Sequence, residues 1–488
     1  MITLNDLLPA MGLPTIEPTI PIKNINFDSR CVKPGDLFVA IPGNQTNGCA
    51  FIEEAAAKGA SAIVMPPHTF IDKNHSFFPV YHDNPRLALS LIAASVFPKQ
   101  PHHQIVVTGT NGKTSTVDFI RQMWEFKHLP TASIGTLGVV NNVNYLYEGP
   151  ALTTPDSLTL HRILNDLVKR HVQHVAIEAS SHGLSQFRLE NIVAQAAGFT
   201  NLTRDHLDYH GSLDNYFNAK LRLFNTILPE GGIACINADI EPKFLRTIKE
   251  VTIKRKNQLR LVGENGQFIK ILNVNPTPYG QDFKIMTCKG EQYSLTVPLL
   301  GRYQLDNILL ALSLITSDAD EMSEYLPYLP ALRGVKGRLQ QAALLPNGAA
   351  IYVDYAHTPD ALSHVLQSLR SHTQGELYIV FGAGGDRDKG KRPLMGKAAA
   401  KWADHLIITD DNPRTENADH IRKEIKLGCE TALEIPGREE AIAEAIKKLK
   451  KGDILVVAGK GHEQGQTIGH KTYPFEDVKI IQHYASNL

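Results

Sequence analysis

The stretch Ile105–Thr116, IVVTGTNGKTST, leaves this chain few ways to fold. A β-branched apolar run leads into a glycine-bearing loop, Gly109-Thr110-Asn111-Gly112-Lys113-Thr114-Ser115, and a helical pattern, VDFIRQMWEF, leads out. A strand that feeds a helix returns to its own sheet as a parallel neighbour, so the stretch predicts an α/β fold. The glycines let backbone N–H groups turn toward an anion, and the helix N-terminus adds its positive dipole end. Lys113 has the reach for β- and γ-phosphates, and the Thr114 hydroxyl is a candidate Mg²⁺ ligand. A strict phosphate-loop pattern has glycine where this chain has Val107, so the motif is a variant and a ligand-free glycine turn is the alternative.

The same alternation recurs along most of the chain. AIYVDYA, ELYIVFG, HLIITD and DILVVAG each run into a Gly- or Asp-rich turn and mostly then into a helix. That is the pattern of a doubly wound parallel sheet, which binds ligands at the carboxyl ends of its strands. With 488 residues the chain exceeds one core. Three units are expected, 1–100, 101–333 and 334–488, the first linker being the polar, Pro-bearing FPKQPHHQ. Lys plus Arg and Asp plus Glu both number 50, so no global charge points to nucleic acid or to a membrane surface. No run approaches the roughly 20 apolar residues of a membrane span. The start, MITLNDLLPAMGLP, lacks the basic flank and long apolar run of a signal peptide. The five cysteines form no CxxC pair, which fits a reducing compartment, and the cytoplasm is the expected location.

Two further groups stand near strand ends. Glu178 closes the apolar run in HVAIEASSHGL, and His206 follows AGFTNLTRD. Alone, such a Glu is more often a helix cap or surface group, and such a His more often a satisfied structural one. Beside a phosphate loop, Glu178 is a candidate Mg²⁺ ligand and His206 a candidate for a second ion.

TGTNGKT, EASSHGL, FTNLTRDHLDYHG, VDYAHTPDAL, GGDRDKGKRPLMG, TDDNPRTEN and AGKGHE together resemble the Mur ligases, in particular their diaminopimelate-adding branch. The resemblance runs from the Asp28-Ser29-Arg30 motif to Glu463. It implies an N-terminal UDP-binding α/β domain, a central P-loop ATPase α/β domain and a C-terminal Rossmann-like domain. The implied reaction belongs to peptidoglycan synthesis. ATP phosphorylates the D-Glu carboxylate of UDP-N-acetylmuramoyl-L-alanyl-D-glutamate, and an amine attacks the acyl phosphate.

The resemblance also implies roles for single residues. Lys220, on its face a surface helix lysine, matches a carbamylated lysine that would hold a second Mg²⁺ with His206, beside Thr114 and Glu178. Catalysis then falls to Lys113, Glu178, His206 and Lys220. Phe27, Ser29, Asn44, Gln45, Thr46, Thr153, Thr154, Ser180, Gln186 and Arg188 match contacts to the UDP-sugar dipeptide. Asn307, Arg338, Asp354 and His357 match groups that hold ATP with the loop. Arg387, Asp411, Asn412, Pro413, Arg414, Gly459 and Glu463 match the amino-acid site. The implied partners are the UDP-sugar dipeptide, meso-2,6-diaminopimelate and ATP, with neither nucleic acid nor membrane, and the implied state is a monomer. Leu152 departs from the family, which often has Asn there.

DNPR occurs twice, at Asp83–Arg86 and at Asp411–Arg414. In the first copy Asp83 or Asn84 sits at an N-cap position, Pro85 fits a first helical turn, and RLALSLIAASVF continues at helical spacing, so a helix start is expected. The second copy follows the strand HLIIT, at a sheet's ligand-binding edge. An Arg there can grip a carboxylate with two parallel hydrogen bonds. The far end of meso-diaminopimelate offers a carboxylate, whereas lysine offers only an ammonium. Glu463 would accept from the distal ammonium. The alternatives are the same chemistry with lysine or a D-Ala-D-Ala dipeptide, a folylpolyglutamate synthase, and a non-catalytic nucleotide switch.

Overall fold

The computed structural model describes residues 2–43, 47–72, 74–147, 149 and 152–487. Contacts group the chain into two compact units, Met1–Leu261 with Ser313–Ile315, and Val262–Leu312 with Thr316–Leu488. No helix among the described residues is long and apolar enough to cross a membrane.

The first unit opens with four parallel strands in chain order: β1 (Ile25–Asn26), β2 (Leu37–Val39), β3 (Ala62–Met65) and β4 (Phe78–Tyr81). Side chains alternate across a strand, so one sheet feeds two cores. Leu37, Val39, Ala62 and Val64 enter one cluster, and Phe38, Ile63 and Met65 enter the other. Both faces are buried, which explains the uninterrupted apolar runs in LFVA and AIVM. Helix α1 (Ile52–Ala57) supplies Ile52 and Ala55 to the second cluster. Helix α2 (Pro85–Val96) supplies Ala88, Leu89 and Ile92 to the first. It starts at the first DNPR as expected: Asn84 is the cap, its side chain accepting from Leu87 N–H at 3.1 Å, and Pro85 is the first helical residue.

Next come β5 (His103–Thr108), α3 (Lys113–Phe126), β6 (Thr131–Gly135), α4 (Ser157–Lys169), β7 (His174–Glu178), β8 (Ala196–Phe199), α5 (Leu213–Arg222) and β9 (Ile233–Asn237). The strands are parallel, in the order β9-β8-β5-β7-β6. Leu160, Ile163, Leu164 and Leu167 recur at helical spacing on α4, and all four are fully buried against the sheet cluster containing Val106, Ile177 and Phe199. Truncating Leu164 to alanine is expected to cost ~2–5 kcal/mol. The register sets Glu178 opposite Val107 and Phe199 opposite Thr108, so the phosphate loop and the segments after β7 and β8 emerge side by side.

The second unit contains three antiparallel strands, Ile269–Thr277, Gly280–Thr287 and Gln292–Val297. This meander is hard to see in the sequence, because its alternation is broken by a register shift between Ile271 and Asn273. Helix α6 (Arg302–Ile315) follows. Then β10 (Ala350–Asp354), α7 (Pro359–Arg370), β11 (Leu377–Phe381), α8 (Lys391–Trp402), β12 (His405–Ile408), α9 (Ala418–Lys426), β13 (Leu433–Glu434), α10 (Arg438–Lys448) and β14 (Ile454–Ala458) build the expected doubly wound sheet. Its parallel strands run β10-β14-β11-β12-β13, with Gln340–Leu344 antiparallel at the β10 edge. One face is covered by α7, α8 and α9 residues such as Leu366, Met395 and Ile425. The other is covered by Ile442 and Ile446 of α10.

Candidate active site

The loop after β5 takes the shape its glycines allow. Gly109 (φ 143°) and Gly112 (φ 84°) lie in the region L-residues avoid, and a Cβ at Gly109 would strike the Thr200 hydroxyl. The Lys113 ammonium curls over the loop, donating to the carbonyls of Gly109 (3.0 Å) and Thr110 (2.7 Å). Asn111 N–H donates to Asn201 Oδ1 at 2.9 Å, which ties the loop to the segment after β8. Ser115 is buried in the first turn of α3.

Glu178 is nearly fully buried beside the loop. Its carboxylate accepts from the Thr114 hydroxyl (3.0 Å) and from Thr136 N–H (2.8 Å). Gly135 has no side chain because Glu178 occupies the space a Cβ would need. Thr136 escapes sequence reasoning, since a threonine one residue past a strand carries no signal of its own. Thr154 and Ser180 brace the same corner. The Thr154 hydroxyl donates to Glu178 O (2.8 Å) and accepts from Ser180 N–H (2.9 Å), while Ser180 Oγ accepts from Gly183 N–H (3.0 Å). Thr153 Oγ1 lies 3.1 Å from Thr136 Oγ1.

Lys220 on α5 is no surface lysine. It is 1% exposed, its Nζ donates to Gly109 O at 2.6 Å, and it lies 4.4 Å from the centre of the Tyr216 ring. Burial, reinforced by the Lys113 ammonium, drives its pKa well below the ordinary lysine value. The Gly109 carbonyl thus accepts from two lysines, a crowding of positive charge that a neutral or acylated Lys220 relieves. His206 (φ 50°) is half-exposed, with Nε2 3.6 Å from Asp205 Oδ2 and its ring 6.2 Å from Tyr216, on which Lys220 also rests. The structure therefore joins Thr114 to Glu178 and Lys113 to Lys220, and leaves His206 at the rim. No group of three or more His, Cys, Asp or Glu among the described residues is arranged to hold a metal. Oxygen ligands such as Thr114 and Glu178 suit Mg²⁺, which keeps several waters and binds phosphate oxygens instead of a full protein cage.

A cavity of about 220 Å³ in the same unit is lined by Phe27, Gly43, Arg86, Gln186 and Arg188 among others. Phe27, Gln186 and Arg188 are expected at a substrate site from the sequence; Arg86, from the first DNPR, is not. Arg188 donates to Thr154 O (2.6 Å) and to Gln186 Oε1 (2.7 Å). Burial lowers its pKa, Asp156 opposes the shift and Arg86 adds to it. The Ser29 hydroxyl donates to Glu54 at 2.8 Å. Asn44, Gln45 and Thr46 lie outside the described residues.

In the second unit, Asp354 ends β10 and is buried, accepting from Leu339 N–H and Ala356 N–H, both at 2.7 Å. Burial raises its pKa against the opposing pull of Arg338, whose guanidinium lies 5.0 Å from the Tyr355 ring centre. His357 Nδ1 is 2.8 Å from Tyr355 O. The buried Asn307 on α6 has an Nδ2 with no hydrogen-bond partner among the described residues.

The second DNPR follows β12 and is mostly enclosed. Asn412 Nδ2 donates to Glu463 Oε2 at 2.9 Å, and Gly385 N–H donates to Asn412 O at 2.9 Å. Gly459 (φ 115°) leaves room for Asp411, whose Oδ2 would stand 2.6 Å from a Cβ there. Arg414 holds φ 52°, a conformation that costs an arginine roughly 1 kcal/mol. Its Nη1 donates to Gly385 O at 2.7 Å. Arg387 is exposed on the neighbouring loop. Asp386 laces the two loops, accepting from the Thr415 hydroxyl at 2.8 Å and donating its N–H to Glu416 at 2.6 Å. Glu416 is held in turn by the fully buried Arg392 at 2.9 Å.

A variant phosphate loop on one parallel sheet and a charged cluster at the carboxyl edge of a second, Rossmann-like sheet are parts that an ATP-using ligase needs. Three domain families match in series: Mur ligase family, catalytic domain (21–103), Mur ligase middle domain (107–315), and Mur ligase, glutamate ligase domain (337–461). The chain belongs to the Mur ligase family, and it has that family's three-domain α/β architecture. Proteins named UDP-N-acetylmuramoyl-L-alanyl-D-glutamate--2,6-diaminopimelate ligase are its relatives. One from Zymomonas mobilis is 45% identical over 98% of both chains, and one from Caulobacter vibrioides is 45% identical over 94% of both. A solved structure with the same name is 31% identical, with a TM-score of 0.72, and covers 100% of this chain and 99% of that one.

Proposed function

We propose that this Mur ligase uses ATP to join meso-2,6-diaminopimelate to the D-glutamate of UDP-N-acetylmuramoyl-L-alanyl-D-glutamate, releasing ADP and phosphate, in cytoplasmic peptidoglycan synthesis. The observation that carries this reading is the second DNPR segment, which supplies the cation Arg414 and, hydrogen-bonded to Asn412, the anion Glu463, suited to the carboxylate and ammonium at the far end of diaminopimelate. Lysine lacks the carboxylate and would leave Arg414 unmatched. The near-full-length relatedness to ligases of that name supports the same substrate.

A carboxylate is a poor electrophile, and phosphorylation turns one of its oxygens into a leaving group. The protein's part is positioning and charge neutralisation. The N–H groups of Gly109–Ser115 and the Lys113 ammonium receive the phosphates, while Asn307, Arg338, Asp354 and His357 hold the rest of ATP. Phe27, Ser29, Asn44, Gln45, Thr46, Thr153, Thr154, Ser180, Gln186 and Arg188 take the UDP-sugar dipeptide, and Arg86 and Arg188 both line the cavity. Arg387, Asp411–Arg414, Gly459 and Glu463 present the amine. Thr114 and Glu178, and His206 with carbamylated Lys220, would hold two Mg²⁺ ions, which when bound neutralise phosphate charge. Burial lowers the Lys220 pKa and so favours the neutral amine, the form that captures CO₂. Domain boundaries near 100 and 333 and a monomeric state complete the proposal.

ADP release tests it. Full turnover should require the UDP-sugar dipeptide and meso-diaminopimelate together, and lysine or D-Ala-D-Ala should support little. Better turnover with lysine would overturn the amino-acid assignment. Hydrolysis without either acceptor would indicate a nucleotide switch.

A further inference from the structure

Lys460 lies beneath the second DNPR and has no assigned role. It follows β14 and its side chain is fully buried. Its Nζ donates to Asn412 Oδ1 at 2.9 Å and lies 3.4 Å from Glu463 Oε2. An ammonium only donates, so whatever faces it must be an acceptor. Thr467 N–H donates to the same Asn412 oxygen at 2.9 Å. Two donors on one oxygen decide which way the Asn412 amide points. Its NH₂ is thereby turned to Glu463 Oε2, which it reaches at 2.9 Å. The turn that carries Glu463 is closed on the same residue, Glu463 N–H donating to Lys460 O at 3.0 Å.

We propose that Lys460 is a positioning residue for amino-acid selection: it locks the Asn412 amide and, through it, the carboxylate of Glu463. This rests on the reading that Asn412 and Glu463 contact the incoming amino acid. Keeping an ammonium out of water is costly, and burial does lower the Lys460 pKa against the pull of Asp411 and Glu463. A buried cation with two oriented acceptors is retained where orientation matters. A hydrophobic side chain of similar length would fill the same space but take from the Asn412 oxygen one of the two donors that orient its amide.

The test is steady-state ADP release by the full-length enzyme with each substrate varied in turn. Lys460→Met should raise KM for meso-diaminopimelate about tenfold or more, with kcat within about threefold and the KM values for ATP and the UDP-sugar dipeptide unchanged. Lys460→Gln, which can still donate to Asn412, should show a smaller rise. Because Lys460 acts through Asn412, adding Lys460→Met to Asn412→Ala should change KM little further, whereas a purely structural role would give additive losses. Additivity, an unchanged KM, or a parallel loss of ATP and UDP-sugar binding in both Lys460 variants would overturn the proposal. Asn412→Ala and Glu463→Ala alone test the reading beneath it. If neither raises KM for the amino acid, that reading fails; if both do and Lys460→Met does not, only the Lys460 proposal fails.

Discussion

The two DNPR segments put the same four residues to different uses. At Asp83–Arg86 the asparagine side chain turns inward on its own backbone and caps α2, and the proline begins the helix at once. At Asp411–Arg414 the asparagine is buried and its amide is spent on Lys460, Thr467 and Glu463, while the next helix waits for Asn417 to cap it. The arginines differ as well. Arg86 lies in a helical turn, donates to Pro42 O at 2.8 Å and lines the cavity. Arg414 is held in a left-handed conformation with its guanidinium aimed across to Gly385. Strain of that kind persists where the surroundings over-determine it, and such places are commonly ligand sites. An identical tetrapeptide thus becomes a local backbone device in one place and a buried, hydrogen-bonded junction in the other, according to what packs around it.

Removing each arginine is the sharpest way to break this contrast. Arg414→Ala should raise KM for meso-diaminopimelate a hundredfold or more, on the order of 3 kcal/mol, and leave KM for the UDP-sugar dipeptide unchanged. Arg86→Ala should do the reverse at smaller scale, raising KM for the UDP-sugar dipeptide about tenfold with no effect on the amino acid. Equal effects on both substrates from either variant would erase the distinction. The asparagines extend the comparison to stability. Asn84→Ala should lower unfolding free energy by about 1 kcal/mol in denaturant titration, with amino-acid selection intact, because it removes a cap alone.

The smallest expected effect concerns acid. Glu416, two residues past Arg414, is held at about 2 by hydrogen bonds from Arg392, against an ordinary value of 4.5. A carboxylate depressed in the folded state adds stability above its unfolded pKa and loses it as the pH falls toward the folded one. Its contribution should therefore be complete above about pH 4.5 and fade between there and about 2. Glu416→Gln should flatten the pH dependence of unfolding in that window, and an unaltered slope would show that the pair contributes nothing. On the side of the first copy, Asn84→Ala removes a neutral cap and should leave the acid slope unchanged.

Much of the site is legible in short stretches of sequence. The glycine loop, the strand-end Glu178 and the helix start at Asn84 follow from local rules, because backbone conformation and capping depend on neighbours in sequence. The family resemblance marks Lys220 and the second DNPR. It does not disclose that Lys220 and Lys113 meet at one carbonyl, that Gly135 is bare to admit Glu178, or that Thr136 supplies an N–H to it. Each of those contacts spans dozens of residues. Arg86 reads as part of a helix start and also lines a cavity, which stays hidden for the same reason.

By itself the sequence determined the α/β class, the phosphate loop, the family and the amino acid this ligase is expected to select, since these rest on periodicity, glycine placement and contiguous motifs. Only the tertiary structure decided which of two identical tetrapeptides is buried, which lysine loses its water, and which donors fix the Asn412 amide. Burial and hydrogen-bond pairing are properties of residues that the fold brings together, and no local stretch carries them.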